Sequence, residues 1–212
     1  MNPGNSRRVG RPRLSDELNP LVTLTAEERR SLFLEKAAAL FEDQGYASTS
    51  IEEITECLGL SKGIFYYYWK SKKEILLEIH ARAVGALNTQ LDEVMRHISD
   101  PGQRVTEAIK SHLNVVMRHR SLVAVLMGEA AFSEETIKER RAYTERIQHI
   151  LEDAIQAGVI DPVYQPKILA FALLGLLNSV AQWYQADGPM PASDITALYL
   201  QLAMQGCQNH RD

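Results

Sequence analysis

A chain of 212 residues with 45% hydrophobic and 24% charged side chains has the balance of a globular protein and the length to bury a core without covalent staples, which excludes disordered and fibrous classes. Its formal net charge of −4 hides a segregation: residues 1–15 hold Arg7, Arg8, Arg11 and Arg13 with no acid, and residues 57–73 hold Lys62, Lys70, Lys72 and Lys73 with no acid. Sorting of this kind suits a polyanion-binding end on an acidic body.

Residues 1–20 are rich in Arg, Pro, Gly, Asn and Ser and read as a basic arm. Helical order is expected from Thr25, whose hydroxyl and the Glu28 carboxylate form a capping box, through Phe33, Leu34, Ala37, Leu40 and Phe41 to a stop at Gly45. A second capping box, Ser50 with Glu53, opens a short helix that Gly59 breaks. Ser61 is expected to cap a third helix and Ser71 a fourth, long one with Ile75, Leu76, Ile79, Ala83, Leu87, Leu91 and Val94 inward. Beyond Pro101 the pattern predicts helices near 103–119, 121–131, 134–157, 166–186 and 193–208, and no sustained strand alternation. The expected fold is all-α, with about nine helices. The predicted organisation is an arm at 1–20, a DNA-binding unit at 21–71, and a ligand-binding and dimerisation unit at 72–212.

A short helix, a Gly-containing turn and a second short helix from Lys62 make a helix-turn-helix, whose second helix offers its N-terminal residues to base edges in the major groove. Ser61, Lys62, Gly63 and Ile64 then form the reading edge: Gly63 lets backbone come close, and Ile64 suits a thymine methyl. Tyr66 and Tyr67 are expected as phosphate clamps and Lys72 as a further phosphate contact, while Phe65 and Trp69, four apart, belong to the core and Tyr68 to either. The tetrad Gly10-Arg11-Pro12-Arg13 resembles the core of an AT-hook, with Arg11 and Arg13 as minor-groove readers.

From Phe33 through Leu77 the order and spacing, including "LFEDQGY", Thr49-Ser50, Gly59, "SKG", Tyr66 and "SK" at 71–72, resemble the N-terminal signature of the TetR family of bacterial transcriptional regulators. The resemblance implies an all-helical homodimer on a palindromic double-stranded DNA operator, with Thr49 and Ser50 added to the DNA-contacting set, and a C-terminal effector pocket, usually with repression relieved by ligand. Tyr67 and Tyr68 depart from the histidines and polar residues frequent at their places, which bears on the operator sequence.

The 166–186 segment is apolar on nearly every face, and the last helix groups Ile195, Leu198, Tyr199, Leu202 and Gly206, so a homodimer through the last two helices is expected. An interhelical pocket is expected from Leu113, Val116, Met117, Leu126, Phe132, Tyr143, Ile147, Phe171, Leu174, Asn178 and Trp183, any of which serves equally as core. Residues 175–206, through Asn178, Trp183, Tyr184, Gly188 and Pro189, are similar to the tails of family members that govern lipid or sterol-derivative catabolism and respond to acyl-CoA esters. Such an effector implies phosphate partners among Arg140, Arg141 and Arg146.

Other classes find little footing. There is no nucleophile elbow or Gly-rich phosphate loop, so neither catalytic residues nor a cofactor is expected. His112 and His119 lack a carboxylate or cysteine at metal-ligand spacing, and Cys57 and Cys207 suggest neither disulfide framework nor zinc. The longest apolar run, 168–180, is too short for a bilayer, so no membrane partner and a cytoplasmic setting are expected. The alternatives are an architectural DNA-binding protein without effector and a regulator of a multidrug efflux gene.

Overall fold

The computed structural model describes residues 24–128 and 133–207. Ten helical segments follow one another: α1 (Ala26–Gln44), α2 (Ile51–Cys57), α3 (Lys62–Tyr68), α4 (Lys72–His97), α5 (Pro101–Arg118), α6 (Arg120–Met127), α7 (Glu134–Gln156), α8 (Pro166–Asn178), α9 (Val180–Trp183) and α10 (Ala192–Cys207). They make nine helices when α8 and α9 are counted as one, interrupted at Ser179. The all-α expectation holds, and the predicted basic arm lies outside the described residues.

Local chemistry sets most boundaries. Thr25 and Ser50 each accept a backbone N–H from, and receive the carboxylate of, the Glu three residues on, closing both expected capping boxes. Ser71 accepts from the Glu74 N–H to start α4. At the end of α2, Gly59 (φ 62°) allows Leu60 N–H to reach Thr55 O at 2.9 Å while its own N–H reaches Glu56 O at 2.9 Å, a Schellman closure that turns the chain toward α3. Ser61 differs from expectation: α3 begins there, but its side chain makes no capping bond and stays exposed.

α1, α2 and α3 close on an aromatic core. Phe33 meets Trp69 at 5.5 Å and Phe65 at 6.3 Å between ring centroids, both near edge-to-face, and all three are buried. Trp69 Nε1 donates to Glu78 at 2.6 Å, and Arg30 donates to the same carboxylate at 2.7 Å, so one acid of α4 fastens the end of α3 and the start of α1. α4 then runs on into the body, burying Ile75, Leu76, Ile79, Ala83, Leu87, Leu91 and Val94, and packs on α1, α5, α6 and α7.

Two C-terminal expectations change. The 166–186 helix breaks at Ser179, whose hydroxyl donates to Leu176 O at 2.7 Å and lies 3.1 Å from the Tyr199 hydroxyl, and α9 ends at Trp183. The supposed single apolar face of α10 is two: Ile195, Tyr199 and Ala203 are buried, while Leu198 and Leu202 point outward with 44% and 53% of their surface exposed. Positions 198 and 199 lie about 100° apart around a helix, so the two rows cannot share a side. With Ile168 and Phe171 of α8, also exposed, they leave an apolar surface on the last long helices.

Candidate nucleic-acid interface and ligand cavity

The N-terminal unit presents α3 to solvent. Phe65 and Trp69 are buried, as the 100° step between neighbours requires, which turns Tyr66 and Tyr67 outward with 54% and 79% exposure. Ser61, Lys62 and Gly63 are exposed beside them; Ile64 is half-buried against the core. Tyr68 is also half-buried, and its hydroxyl donates to Ala26 O at 3.3 Å, so it serves α1 rather than a groove. Lys62 pairs with Glu52, bracing α3 against α2.

Three other residues expected at DNA sit differently. Lys72 Nζ donates to the carbonyls of Tyr46 (2.6 Å), Thr49 (2.7 Å) and Ala47 (3.3 Å) and lies 4.4 Å from the Tyr46 ring centroid. An ammonium has three N–H bonds, so this one is committed to the α1–α2 loop instead of standing free for a phosphate. Thr49 is 1% exposed and its hydroxyl donates to Gly45 O at 2.9 Å, which removes it from the surface. Ser50 is partly buried and occupied by its capping box. Arg11 and Arg13 lie outside the described residues.

The body contains a cavity of about 960 Å³ between α4, α6, α7 and α8. That volume is near the upper end of the ~300–1,000 Å³ common for small-molecule sites. Of the residues expected there, Leu126, Tyr143, Phe171, Leu174 and Asn178 line it, as do Arg140 and Arg141. Leu113 and Val116 are core, Ile147 packs in a separate tight gap beside His112, Met117 borders another cleft, and Trp183 is half-exposed against Tyr199. Phe132 lies outside the described residues. Arg146 is spoken for by Asp92 and, at 2.6 Å, by Asn88 of the same helix α4, so it is not the phosphate partner expected.

Sequence reasoning missed Val84 and Leu87 of α4, Thr144, Glu145 and Gln148 of α7, and Lys167 of α8, which also line the cavity, so one carboxylate stands among its cations. The helical spacing of Thr144 and Gln148 marks one polar stripe; Val84 and Leu87 carry no sign beyond being apolar. Arg140, Arg141 and Lys167 have no carboxylate partner among the described residues; the nearest polar contact of Arg140 is Met127 Sδ at 3.8 Å.

One buried polar chain backs the cavity. His112 of α5, 2% exposed, has Nδ1 2.9 Å from the Tyr143 hydroxyl and Nε2 3.1 Å from Asn178 Oδ1. Burial lowers its pKa to about 4 and raises that of Tyr143, so both are neutral near pH 7. His119 borders a different cleft with Glu35 and Tyr184, and among the described residues no group of three or more His, Cys, Asp or Glu side chains gathers to hold a metal. No described helix is long and apolar enough to cross a membrane.

Comparison with known proteins agrees with this architecture. The sequence profile for bacterial regulatory proteins of the tetR family matches residues 33–79, and that for the tetracyclin repressor-like C-terminal domain matches residues 99–207. The chain is 23% identical over 191 residues to the HTH-type transcriptional repressor KstR2 of Mycolicibacterium smegmatis, covering 84% of this chain and 90% of that one. It is 30% identical to the crystal structure of PfmR, a TetR family regulator from Thermus thermophilus, with a TM-score of 0.73 over 84% of this chain and 99% of that one. AibR, solved in complex with isovaleryl coenzyme A and operator DNA, superposes with a TM-score of 0.72 at 24% identity, covering 83% of this chain and 98% of that one. With its helix-turn-helix and helical body matched in sequence and in fold, the chain belongs to the TetR family of DNA-binding transcriptional regulators and is not an enzyme.

Proposed function

We propose that the protein is a homodimeric repressor that holds a palindromic operator through its two α3 helices and is released by a small lipophilic effector carrying negative charge, of the acyl-CoA thioester class. The observation that carries this reading is the cavity of about 960 Å³ with Leu126, Phe171 and Leu174 on its wall together with Arg140, Arg141 and Lys167, cations without an acid partner among the described residues. An apolar wall takes an acyl chain, and unneutralised cations lower the cost of desolvating phosphates. AibR, bound in its crystal to isovaleryl coenzyme A and operator DNA, supports the same class.

An architectural protein has no use for such a cavity. The DNA-contacting set is then Ser61, Lys62, Gly63, Ile64, Tyr66 and Tyr67, in a DNA-binding unit ending near residue 71, from which α4 runs on into the body. Pairing of two chains through the exposed apolar rows of α8 and α10 covers Ile168, Leu198 and Leu202.

The test is selection of duplexes from a random pool, followed by anisotropy titrations with acyl-CoA thioesters of graded length and with free coenzyme A. The expected result is a chain that sediments as a dimer, an enriched palindrome, and release by thioesters but not by coenzyme A; Arg141→Glu should raise the releasing concentration about 10-fold or more. Absence of enrichment returns the architectural reading, and enrichment without release by any thioester removes the effector class.

A further inference from the structure

The polar chain behind the cavity leaves one group unused. A neutral imidazole carries one N–H and one lone pair. Asn178 Oδ1, an acceptor only, faces His112 Nε2 at 3.1 Å, so the N–H is on Nε2 and Nδ1 accepts from the Tyr143 hydroxyl 2.9 Å away. With the amide oxygen so placed, the Asn178 NH₂ is turned away from His112 and has no hydrogen-bond partner among the described residues. Asn178 also lines the cavity, with Phe171 and Leu174 on the same helix.

Three polar groups from α5, α7 and α8 form this chain where apolar side chains of similar volume would pack at lower desolvation cost. The chain cross-links the three helices, and it also holds the amide in one orientation, so its NH₂ is set before a ligand arrives.

We infer that the Asn178 NH₂, held in place by His112 and Tyr143, donates to a carbonyl oxygen of the effector and makes the regulator selective for acyl compounds over their alkyl counterparts. The inference rests on the effector class proposed above and adds the atom that is read. An effector lacking that oxygen strands the amide donor against hydrocarbon, which penalises it beyond the loss of one bond.

Calorimetric titration of the full chain with octanoyl-CoA and with its thioether analogue S-octyl-CoA separates the possibilities. Wild type should bind the thioester about 10-fold more tightly, the discrimination of one well-placed hydrogen bond. Asn178→Asp keeps an oxygen for His112 Nε2 and nearly the same shape but removes the donor, so at pH 8 the preference should vanish; Asn178→Ala should bind both probes alike. Tyr143→Phe, which frees the imidazole to change tautomer, should reduce the preference while leaving S-octyl-CoA binding in place. A merely structural Asn178 predicts lower melting temperatures with the thioester preference intact, and that result overturns the inference. Wild type binding both probes equally overturns it too while the effector class stands; wild type binding neither removes the class and the inference together.

Discussion

Gly63→Ala should push folding and DNA binding in opposite directions. Gly63 lies in the first turn of α3 and its φ is not among the positive ones, so the backbone there is open to any residue. A Cβ built on it meets only Ser61 Oγ, at 3.7 Å, an ordinary contact. The fold therefore gives this glycine no reason to be a glycine, and a helical glycine costs roughly 0.5–1 kcal/mol relative to alanine. Alanine should stabilise the free protein by up to that amount, raising Tm by about 2–4 °C for a chain of this size. If α3 seats its backbone against base edges, the new methyl intrudes on a close approach. By analogy with overpacked interiors the cost is about 1–3 kcal/mol, a loss of affinity of roughly 5- to 150-fold. Scanning fluorimetry of the free chain and anisotropy on a selected duplex measure the two signs separately. Unchanged affinity refutes the groove contact at Gly63, and a fall in Tm refutes the argument that the fold leaves room there.

Two further outcomes are expected. Lys72→Ala removes the ammonium from the carbonyls of Tyr46, Ala47 and Thr49 and should cost about 1–3 kcal/mol in urea unfolding, since the loop before α2 loses its charge-assisted bonds; unchanged stability with lost DNA affinity would return Lys72 to the role of phosphate ligand. His112, and His80, which is equally buried on α4, each have a pKa lowered from 6.5 to about 4, chiefly by burial. The unfolded chain therefore binds more protons across that window, so stability present above pH 6.5 should drain as pH falls toward 4, by about 3 kcal/mol for His112 alone. Urea midpoints that stay level between pH 7 and 4.5 would contradict the buried neutral imidazole.

What the sequence displayed and what it concealed divide along the range of the interaction. The caps at Thr25, Ser50 and Ser71 depend on groups three residues apart, and each formed where the spacing predicted. The division of the aromatic run into buried Phe65 and Trp69 and exposed Tyr66 and Tyr67 follows from helical rotation alone. Lys72 was opaque because its three carbonyls belong to residues more than twenty positions earlier, and Arg146 because Asp92 reaches it from another helix. The cavity was half legible for a different reason. Leu113 and Leu126 look alike in sequence, yet one fills the core and the other faces a void. An inward leucine carries no mark of whether an atom or a space lies opposite, whereas Arg140 and Arg141, on a partly exposed side of α7, are picked out by the charge that an acyl-CoA effector implies.

The same contacts define how a filled cavity can reach the DNA-binding unit. Val84 and Leu87 place the middle of α4 on the cavity wall, and about one turn nearer the N-terminus His80 Nδ1 lies 3.2 Å from the Thr136 hydroxyl at the start of α7. Further along the same helix, Glu78 holds Trp69 and Arg30, so any tilt of α4 carries α3 and α1 with it as one body. A second tether opposes this: Arg120 of α6 donates to Glu42 of α1 at 2.6 Å and holds the DNA-binding unit to the body independently of α4. The tethers are unequal. Glu78 joins a buried indole and a guanidinium at once; Arg120–Glu42 is a partly exposed ion pair of the kind that contributes about 1 kcal/mol or less, but α1 also packs along α6 beside it. On the function proposed above, an effector that tilts α4 has to shift the α1–α6 contact as well, and it moves the equilibrium only by the difference between its affinities for the two forms. A preference of about 1.4 kcal/mol for one form shifts that balance tenfold.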